Sequence, residues 1–204
     1  MAMQFLPLII VLAWMTSAVH GCSCGNILHP QAKFCFADFA LYGKVIKEQF
    51  TSPSSGNVWT IAGNTEYTVH LLFKMKGVNE SIGSELVVQT RNSAAACGTS
   101  MTIGKLYIIM GRTRDDLRKT IFACNRPEEL DSLTPYQAFY MFTSGPYSYN
   151  VNCEKGCQAL FGGADNKTDC QYDYQNKVLF SCLAKHALCR RQRGTCHWFN
   201  NDKC

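Results

Sequence analysis

Two cysteines near the start of the chain, Cys22 and Cys24, could hold a chain start that binds a metal ion through its backbone. If the chain is cleaved before Cys22, the amine and carbonyl oxygen of that residue can form a five-membered chelate on a zinc ion with an open coordination position. An α-amine has a pKa of roughly 7.7–8.0, so a useful fraction is neutral at physiological pH. Bridges from both cysteines to distant cysteines would make this edge rigid and lower the ordering cost of binding. From residue types alone, an early cysteine that merely anchors the terminus is the favoured interpretation.

Residues 1–21 have the pattern of a secretory signal peptide. Residues 2–19 contain no charged side chain, and the apolar stretch 5–14 is followed by small residues up to Gly21. Only about ten residues are strongly apolar, whereas a helix that spans a bilayer needs roughly 20. We therefore expect cleavage after Gly21, a secreted, extracellular product and no membrane span.

The cysteine spacing divides the rest of the chain. Five of the twelve cysteines are spread over residues 22–152 and seven lie in residues 153–204. An even number in a secreted protein predicts six disulfides. A segment of roughly 50 residues buries too little apolar surface to fold unaided, so dense bridging is expected there. We predict a main domain at residues 22–156 and a small disulfide-rich domain at residues 157–204.

The main domain has the pattern of β structure. Residues 67–76 alternate between apolar and polar side chains, which is the period of a half-buried strand. Four similar apolar runs, separated by Gly, Ser and Asn, occur at 40–46, 85–90, 105–111 and 120–124. Five strands with turn-rich connections indicate a small closed barrel or a sandwich rather than a parallel sheet.

Two short helices are predicted beside these strands. Thr134-Pro135 is typical of an N-cap and first helical position, here before residues 136–142. His29-Pro30-Gln31 could begin another short helix that carries Cys35. The expected fold class is mainly β with short helices.

The motifs of common enzyme classes are absent from the sequence: it has no His-Glu-x-x-His, no Gly-x-Ser-x-Gly and no phosphate-binding glycine loop. Cys153 and Cys157 have the spacing of half a zinc knuckle, but in an oxidising compartment we expect them in disulfides. The net charge of +5 is modest and spread out, unlike a nucleic-acid-binding surface. We therefore predict no enzymatic activity, no cofactor of the protein's own and no nucleic-acid partner.

Three further features concern the surface. The sequons at Asn79 and Asn166 are compatible with N-glycosylation in a secretory pathway. Arg190, Arg191 and Arg193 form the densest basic run. A solvated loop is the favoured interpretation of this run, and contact with matrix glycans is the alternative.

Motifs along most of the chain together resemble the tissue inhibitors of metalloproteinases, within the netrin-like family. The opening of the chain is similar to that family's signature in Cys22-Ser23-Cys24, His29-Pro30-Gln31, Phe34-Cys35 and Asp38. Residues 104–109 with Gly111-Arg112 are similar to its central strand. Cys97-Gly98 lies at the position where the family has the disulfide partner of its first cysteine. Cys196-His197-Trp198 is similar to its final Cys-x-Trp. The order and spacing of these fragments together are specific.

The resemblance implies a five-stranded barrel of the oligonucleotide/oligosaccharide-binding (OB) type with flanking helices, followed by a small disulfide-rich C-terminal domain. By position it implies bridges for the barrel, Cys22–Cys97, Cys24–Cys124 and Cys35–Cys153. For the second domain it implies, from a weaker match, Cys157–Cys196 and Cys170–Cys189, and Cys182–Cys204 then follows by elimination.

The resemblance also implies a secreted inhibitor of zinc metalloproteinases of the matrix type, a monomer that forms 1:1 complexes. Cys22 would bind the catalytic zinc of the protease through its amine and carbonyl and displace the catalytic water. Ser23 would point into the specificity pocket, Cys24 and Gly25 would follow the cleft, and the alanines before Cys97 would flank them. This inhibitory ridge would comprise Cys22, Ser23, Cys24, Gly25, Ala94, Ala95, Ala96 and Cys97.

Two departures from the family pattern affect this ridge. Four residues separate Cys24 from His29, where the family usually has three including a proline, so the edge is less rigid. The alanines at 94–96 replace larger residues and reduce the contact area. Both changes would lower affinity. The alternative function is a netrin-like extracellular binding module that acts on a receptor or on a matrix or host protein without inhibiting a protease.

Overall fold

The computed structural model describes residues 22, 24, 28–52, 63–162, 168–173 and 175–204. Several predicted features lie outside these residues: the signal peptide at 1–21, Ser23, Gly25 and the sequon residue Asn166.

Five strands close into a ring in the order β1-β2-β3-β5-β4. Strand β1 (Phe39–Thr51) pairs antiparallel with β2 (Asn64–Lys76) and with β4 (Leu106–Thr113). Strand β3 (Glu85–Arg91) pairs antiparallel with β2. The short strand β5 (Lys119–Thr120) closes the ring, parallel to β3 and antiparallel to β4. The mainly β fold with five ring strands that the sequence predicts is therefore confirmed.

The alternation predicted for residues 67–76 is also confirmed. Tyr67, Val69 and Leu71 are buried, whereas Leu72 and Lys74 are exposed. The buried face packs into the interior of the ring, where one apolar cluster contains Phe39, Leu41, Val45, Tyr67, Val69, Leu71, Val78, Leu86, Val88, Met101, Tyr107, Ile109 and Ile121.

The predicted fifth strand at 120–124 is wrong at its C-terminal end. Pairing along β5 stops at Thr120, although the N–H of Ile121 still donates to the carbonyl of Gln89. Residues Ala123–Asn125 instead form a 3₁₀ turn, and the N–H of Ala123 donates to the carbonyl of Cys97. The apolar run therefore ends in a turn that bonds to the neighbouring loop rather than in a longer strand.

Both predicted helices are present, and a third follows them. Helix α1 (Pro30–Phe36) carries Cys35, helix α2 (Pro135–Phe142) begins after the N-cap Thr134, and helix α3 is Tyr149–Glu154. Of the helices in the described residues, none has the length and apolar character needed to cross a membrane. The helices cover one side of the ring, where a second cluster contains Phe34, Ala37, Ala40, Met75, Ile108, Met110, Tyr140, Met141, Tyr149 and Leu188.

The cysteine-rich segment, residues 157–204, contains small elements that were not predicted from the sequence. Strands β6 (Ala159–Phe161) and β7 (Cys170–Tyr172) form a parallel pair. Helix α4 (Lys177–His186) precedes a hairpin of β8 (Leu188–Gln192) and β9 (Thr195–Phe199). Four buried cysteines form a cluster of their own, Cys157, Cys170, Cys189 and Cys196. Disulfides thus occupy part of the interior that apolar side chains fill in a larger domain.

Candidate functional site

Two neighbouring disulfides hold the start of the described chain. Cys22 is bonded to Cys97 and Cys24 to Cys124, with Cα–Cα distances of 5.0 and 5.3 Å. The Sγ atoms of Cys22, Cys24 and Cys124 lie within 4.8 Å of one another, so the two bridges are side by side. The chain start is therefore fixed to two different segments, one after β3 and one after β5.

This group of sulfur atoms is not a metal site. Sulfur binds metals as a thiolate, and all three cysteines are in disulfides. Zinc chemistry at this place would have to use the backbone amine and carbonyl of Cys22 toward a zinc ion held by another protein.

The segment that receives Cys22 is a tightly bonded 3₁₀ turn, Ala94–Ala96. The Ser93 hydroxyl accepts the N–H of Ala96 at 3.3 Å, and the Ser93 carbonyl accepts the N–H of Gly98 at 2.9 Å. Cys97 has a left-handed backbone with φ of 63°. A Cβ on Gly98 would lie 2.0 Å from the carbonyl oxygen of Arg91, so no larger residue fits there. These hydrogen bonds and the close approach at Gly98 fix the backbone position of Cys97, and the disulfide in turn fixes Cys22.

The predicted ridge residues that the structure describes meet at the surface. Cys24, Ala94 and Ala95 are exposed, and Cys22, Ala96 and Cys97 are half-buried. We call these six residues the ridge. They form an accessible edge that a partner can contact without unfolding the protein.

The other four disulfides connect the rest of the chain. They are Cys35–Cys153, Cys157–Cys196, Cys170–Cys189 and Cys182–Cys204. Five of the six pairs in the structure coincide with pairs that the family resemblance implies, and Cys182–Cys204 coincides with the pair expected by elimination. Cys35–Cys153 joins α1 to α3, and Cys182–Cys204 ties the last residue to α4.

A few residues after the ridge cysteines, His29 is completely buried against the cysteine-rich segment. Its Nε2 lies 3.0 Å from the carbonyl oxygen of Leu183, and its Nδ1 accepts the N–H of Gln31 at 3.2 Å. Its backbone N–H donates to the hydroxyl of Tyr172 at 3.3 Å. Burial lowers the pKa of His29 to about 4, so the imidazole is neutral at physiological pH.

Gln31 is buried beside it and bonds the same segment through its side-chain amide. The nitrogen donates to the carbonyls of Cys157 and Cys189 at 3.2 and 2.8 Å, and the oxygen accepts the N–H of Cys189 at 2.7 Å. From the sequence, His29-Pro30-Gln31 was expected to begin a short helix and to match a family signature, but its attachment to the cysteine-rich segment was not predicted. No local pattern could have revealed that attachment, because the partners of Gln31 lie 126 and 158 residues away.

The sequon residue Asn79 is exposed in the connection between β2 and β3. The ridge turn follows the other end of β3. A glycan on Asn79 would therefore start at the opposite end of that strand from the ridge.

The three arginines of the basic run have different surroundings. The Arg190 guanidinium stacks over the Tyr147 ring at 4.5 Å, and Arg191 donates to the carbonyl of Lys155 at 2.7 Å. Arg193 lies in the turn between β8 and β9 with φ of 50°. Two of the three thus have structural contacts, and glycan binding by this run stays a prediction.

Comparison with known proteins finds matches along most of the chain. The family model described as tissue inhibitor of metalloproteinase matches residues 20–198. Metalloproteinase inhibitor 2 of Gallus gallus is 28% identical over 208 residues, which cover 93% of this chain and 89% of that protein. The Homo sapiens protein of the same name is 28% identical over 203 residues, covering 94% and 87%. Tissue inhibitor of metalloproteinase of Drosophila melanogaster is 27% identical over 150 residues, covering 72% and 64%. Because the family model matches most of its length, the chain belongs to the tissue inhibitor of metalloproteinase family.

Proposed function

We propose that the protein is a secreted inhibitor of zinc metalloproteinases of the matrix type and has no enzymatic activity or cofactor of its own. Family membership and the names of the similar proteins support inhibition of metalloproteinases. In this proposal, removal of residues 1–21 makes Cys22 the first residue. The mature protein then acts as a monomer that binds one protease molecule.

The proposed mechanism is chelation of the protease zinc by the amine and carbonyl oxygen of Cys22, which displace the catalytic water. The observation that carries the mechanism is the side-by-side arrangement of the Cys22–Cys97 and Cys24–Cys124 bridges. Two covalent attachments within three residues leave the chain start little freedom to lose on binding. The open position of a protease's catalytic zinc can accept such a pre-positioned ligand pair in place of water.

The remaining ridge residues would make the contacts that set selectivity. We propose that the Ser23 side chain enters the specificity pocket and that Cys24 and Gly25 follow the cleft. Ala94, Ala95 and Ala96 would contact the protease from the other side. Exposure of Ala94 and Ala95 supports that role, and their small side chains limit the area they can bury.

We also propose that residues 22–156 form a barrel of the OB type and that residues 157–204 form a second domain. The closed strand order and the parallel pairing of β3 with β5 support the barrel. The separate cluster of buried cysteines supports the second domain.

The test is to extend the mature N-terminus by one alanine. An amide in place of the free amine cannot chelate zinc, so inhibition of a purified matrix metalloproteinase catalytic domain should fall by more than about a hundredfold, or 2.7 kcal/mol. The matched control carries the same alanine after Cys204 and should inhibit like the parent. Thermal unfolding of all three proteins should be the same. Undiminished inhibition by the N-terminally extended protein would contradict chelation, and a correctly processed parent that does not inhibit would contradict the function itself.

A further inference from the structure

We infer that a polar groove beside the ridge, walled by Arg91 and Arg126, receives an acidic segment of the protease that the ridge inhibits. This inference rests on the proposed function and deepens it, because it assigns two selectivity-determining residues outside the ridge.

The groove is a defined cavity of about 520 Å³. Its floor includes Thr65 and Tyr67, which are buried, and its walls include the exposed side chains of Glu48, Arg91 and Arg126. A cavity of this size has room for several amino-acid side chains of a partner.

The groove is continuous with the ridge. Ala94 of the ridge lines it directly, as do Ser93 and Gly98 of the turn that holds Cys97. Ala123, next to Cys124, lines it from the other side. A protease that contacts the ridge would therefore lie next to the groove.

The charges in the groove favour an acidic occupant. Among the residues that the structure describes, neither Arg91 nor Arg126 forms an ion pair; Arg91 only donates to the Asn64 side-chain oxygen at 3.3 Å. Glu48, the acidic residue of the lining, accepts the hydroxyl of Tyr67 at 3.0 Å. The groove is thus lined by two guanidinium groups and one carboxylate, which leaves an excess of positive charge. Arginine binds carboxylates with two parallel hydrogen bonds, so a partner's Asp or Glu fits here.

Two of the three acidic residues in a neighbouring groove are paired with other cations. Arg126 also borders this second groove, which contains Glu128, Glu129 and Asp131. Glu128 is paired with Lys33 at 3.2 Å, and Glu129 is paired with Lys105 at 2.7 Å. Both glutamates therefore have a cation of their own, and Asp131 forms no ion pair with Arg126 among the described residues.

The experiment compares two double variants that remove the same positive charge. Arg91→Gln/Arg126→Gln changes the groove, and Lys44→Gln/Lys74→Gln changes two exposed residues on β1 and β2 that do not line it. The inhibition constant against a matrix metalloproteinase catalytic domain should rise roughly five- to tenfold in the groove variant and stay within about twofold of the parent in the control. The difference should shrink when ionic strength is raised from about 0.1 to 0.5 M, because salt screens exposed charges.

Three results would overturn the inference: equal inhibition constants for the two double variants, a groove effect that salt does not change, or weaker heparin retention of the groove variant with unchanged protease inhibition. The last result would assign the groove to a sulfated glycan. The alanine-extended protein separates the two proposals. If it loses inhibition while the groove variant matches the parent, chelation stands and only the groove assignment fails.

Discussion

The two ends of one short stretch, residues 22–31, are fixed to the protein in opposite ways. Cys22 and Cys24 lie at or near the surface and are held by disulfides to turns. His29 and Gln31 are fully buried and are held by hydrogen bonds to the cysteine-rich segment. At the surface, water competes for hydrogen bonds, whereas a buried polar group that loses its partner costs the full desolvation penalty. A rigid exposed edge therefore needs covalent attachment, while a buried connection is stable with hydrogen bonds alone.

The difference suggests a division of labour within this stretch. The ridge end would determine inhibition, and the buried end would determine how firmly the cysteine-rich segment is attached. Variants at the two ends should then have separable effects on inhibition and on stability.

Removing the Cys24–Cys124 bridge should have the largest effect. The double variant Cys24→Ala/Cys124→Ala opens a bridge with a sequence separation of 100, which in the chain-entropy model contributes about 5 kcal/mol. It also frees the ridge, so we expect a large loss of inhibition together with a lower midpoint of thermal unfolding. Inhibition should be measured at a temperature well below that midpoint.

The matched control is Cys182→Ala/Cys204→Ala, which opens a bridge with a sequence separation of 22. This change should cost about 3 kcal/mol of stability and leave inhibition intact. If both double variants lose inhibition to the same extent, the loss of inhibition follows from lower stability in general. The proposal that the Cys24–Cys124 bridge has a special role in positioning the ridge would then be wrong.

At the buried end, Gln31→Ala should destabilise the protein without weakening inhibition. The change leaves the carbonyls of Cys157 and Cys189 and the N–H of Cys189 without their partner. We expect a loss of about 3 kcal/mol in the free energy of unfolding, measured by urea denaturation. Gln49→Ala, at an exposed position of β1, should change it by less than about 0.5 kcal/mol. A loss of inhibition by folded Gln31→Ala protein would mean that the two ends are coupled.

Local patterns in the sequence were sufficient to predict the ring strands and the first two helices. The alternation in β2 and the Thr134-Pro135 start of α2 depend on neighbours within a few residues, and both could therefore be predicted from the sequence. The predicted end of β5 was wrong because the N–H of Ala123 donates to the carbonyl of Cys97 in another loop, where a longer strand would need a different partner.

The site could be predicted only in outline. Cys22 and Cys24 were singled out by their position near the expected cleavage site, whereas Cys97 was found through the family resemblance. The role of Gly98 follows from an approach to the Arg91 carbonyl that residue types do not reveal. The groove was missed for a similar reason: Arg91 and Arg126 are 35 positions apart in sequence, and only the ring brings them to one cavity.

His29 gives the third and smallest expected effect, a dependence of stability on pH. Its pKa is about 4 in the folded protein, where burial disfavours the charged form, and about 6.5 in the unfolded chain. Between these values the unfolded chain binds the extra proton, so the stability from neutral His29 is complete above about pH 6.5 and is lost as the pH falls toward 4. At pH 5 the loss should be about 2 kcal/mol relative to pH 7.5.

Urea denaturation of the parent and of His29→Gln at the two pH values measures this contribution. Glutamine does not titrate, so the variant should be less stable at pH 7.5 but should lose about 2 kcal/mol less than the parent on acidification. Gln49→Ala, at an exposed position of β1, changes no titratable group and should keep the parent's pH dependence. If His29→Gln and the parent lose the same stability between pH 7.5 and 5, the acid sensitivity arises elsewhere. The hydrogen bonds of the buried end would then hold the cysteine-rich segment with a strength that does not change over this pH range.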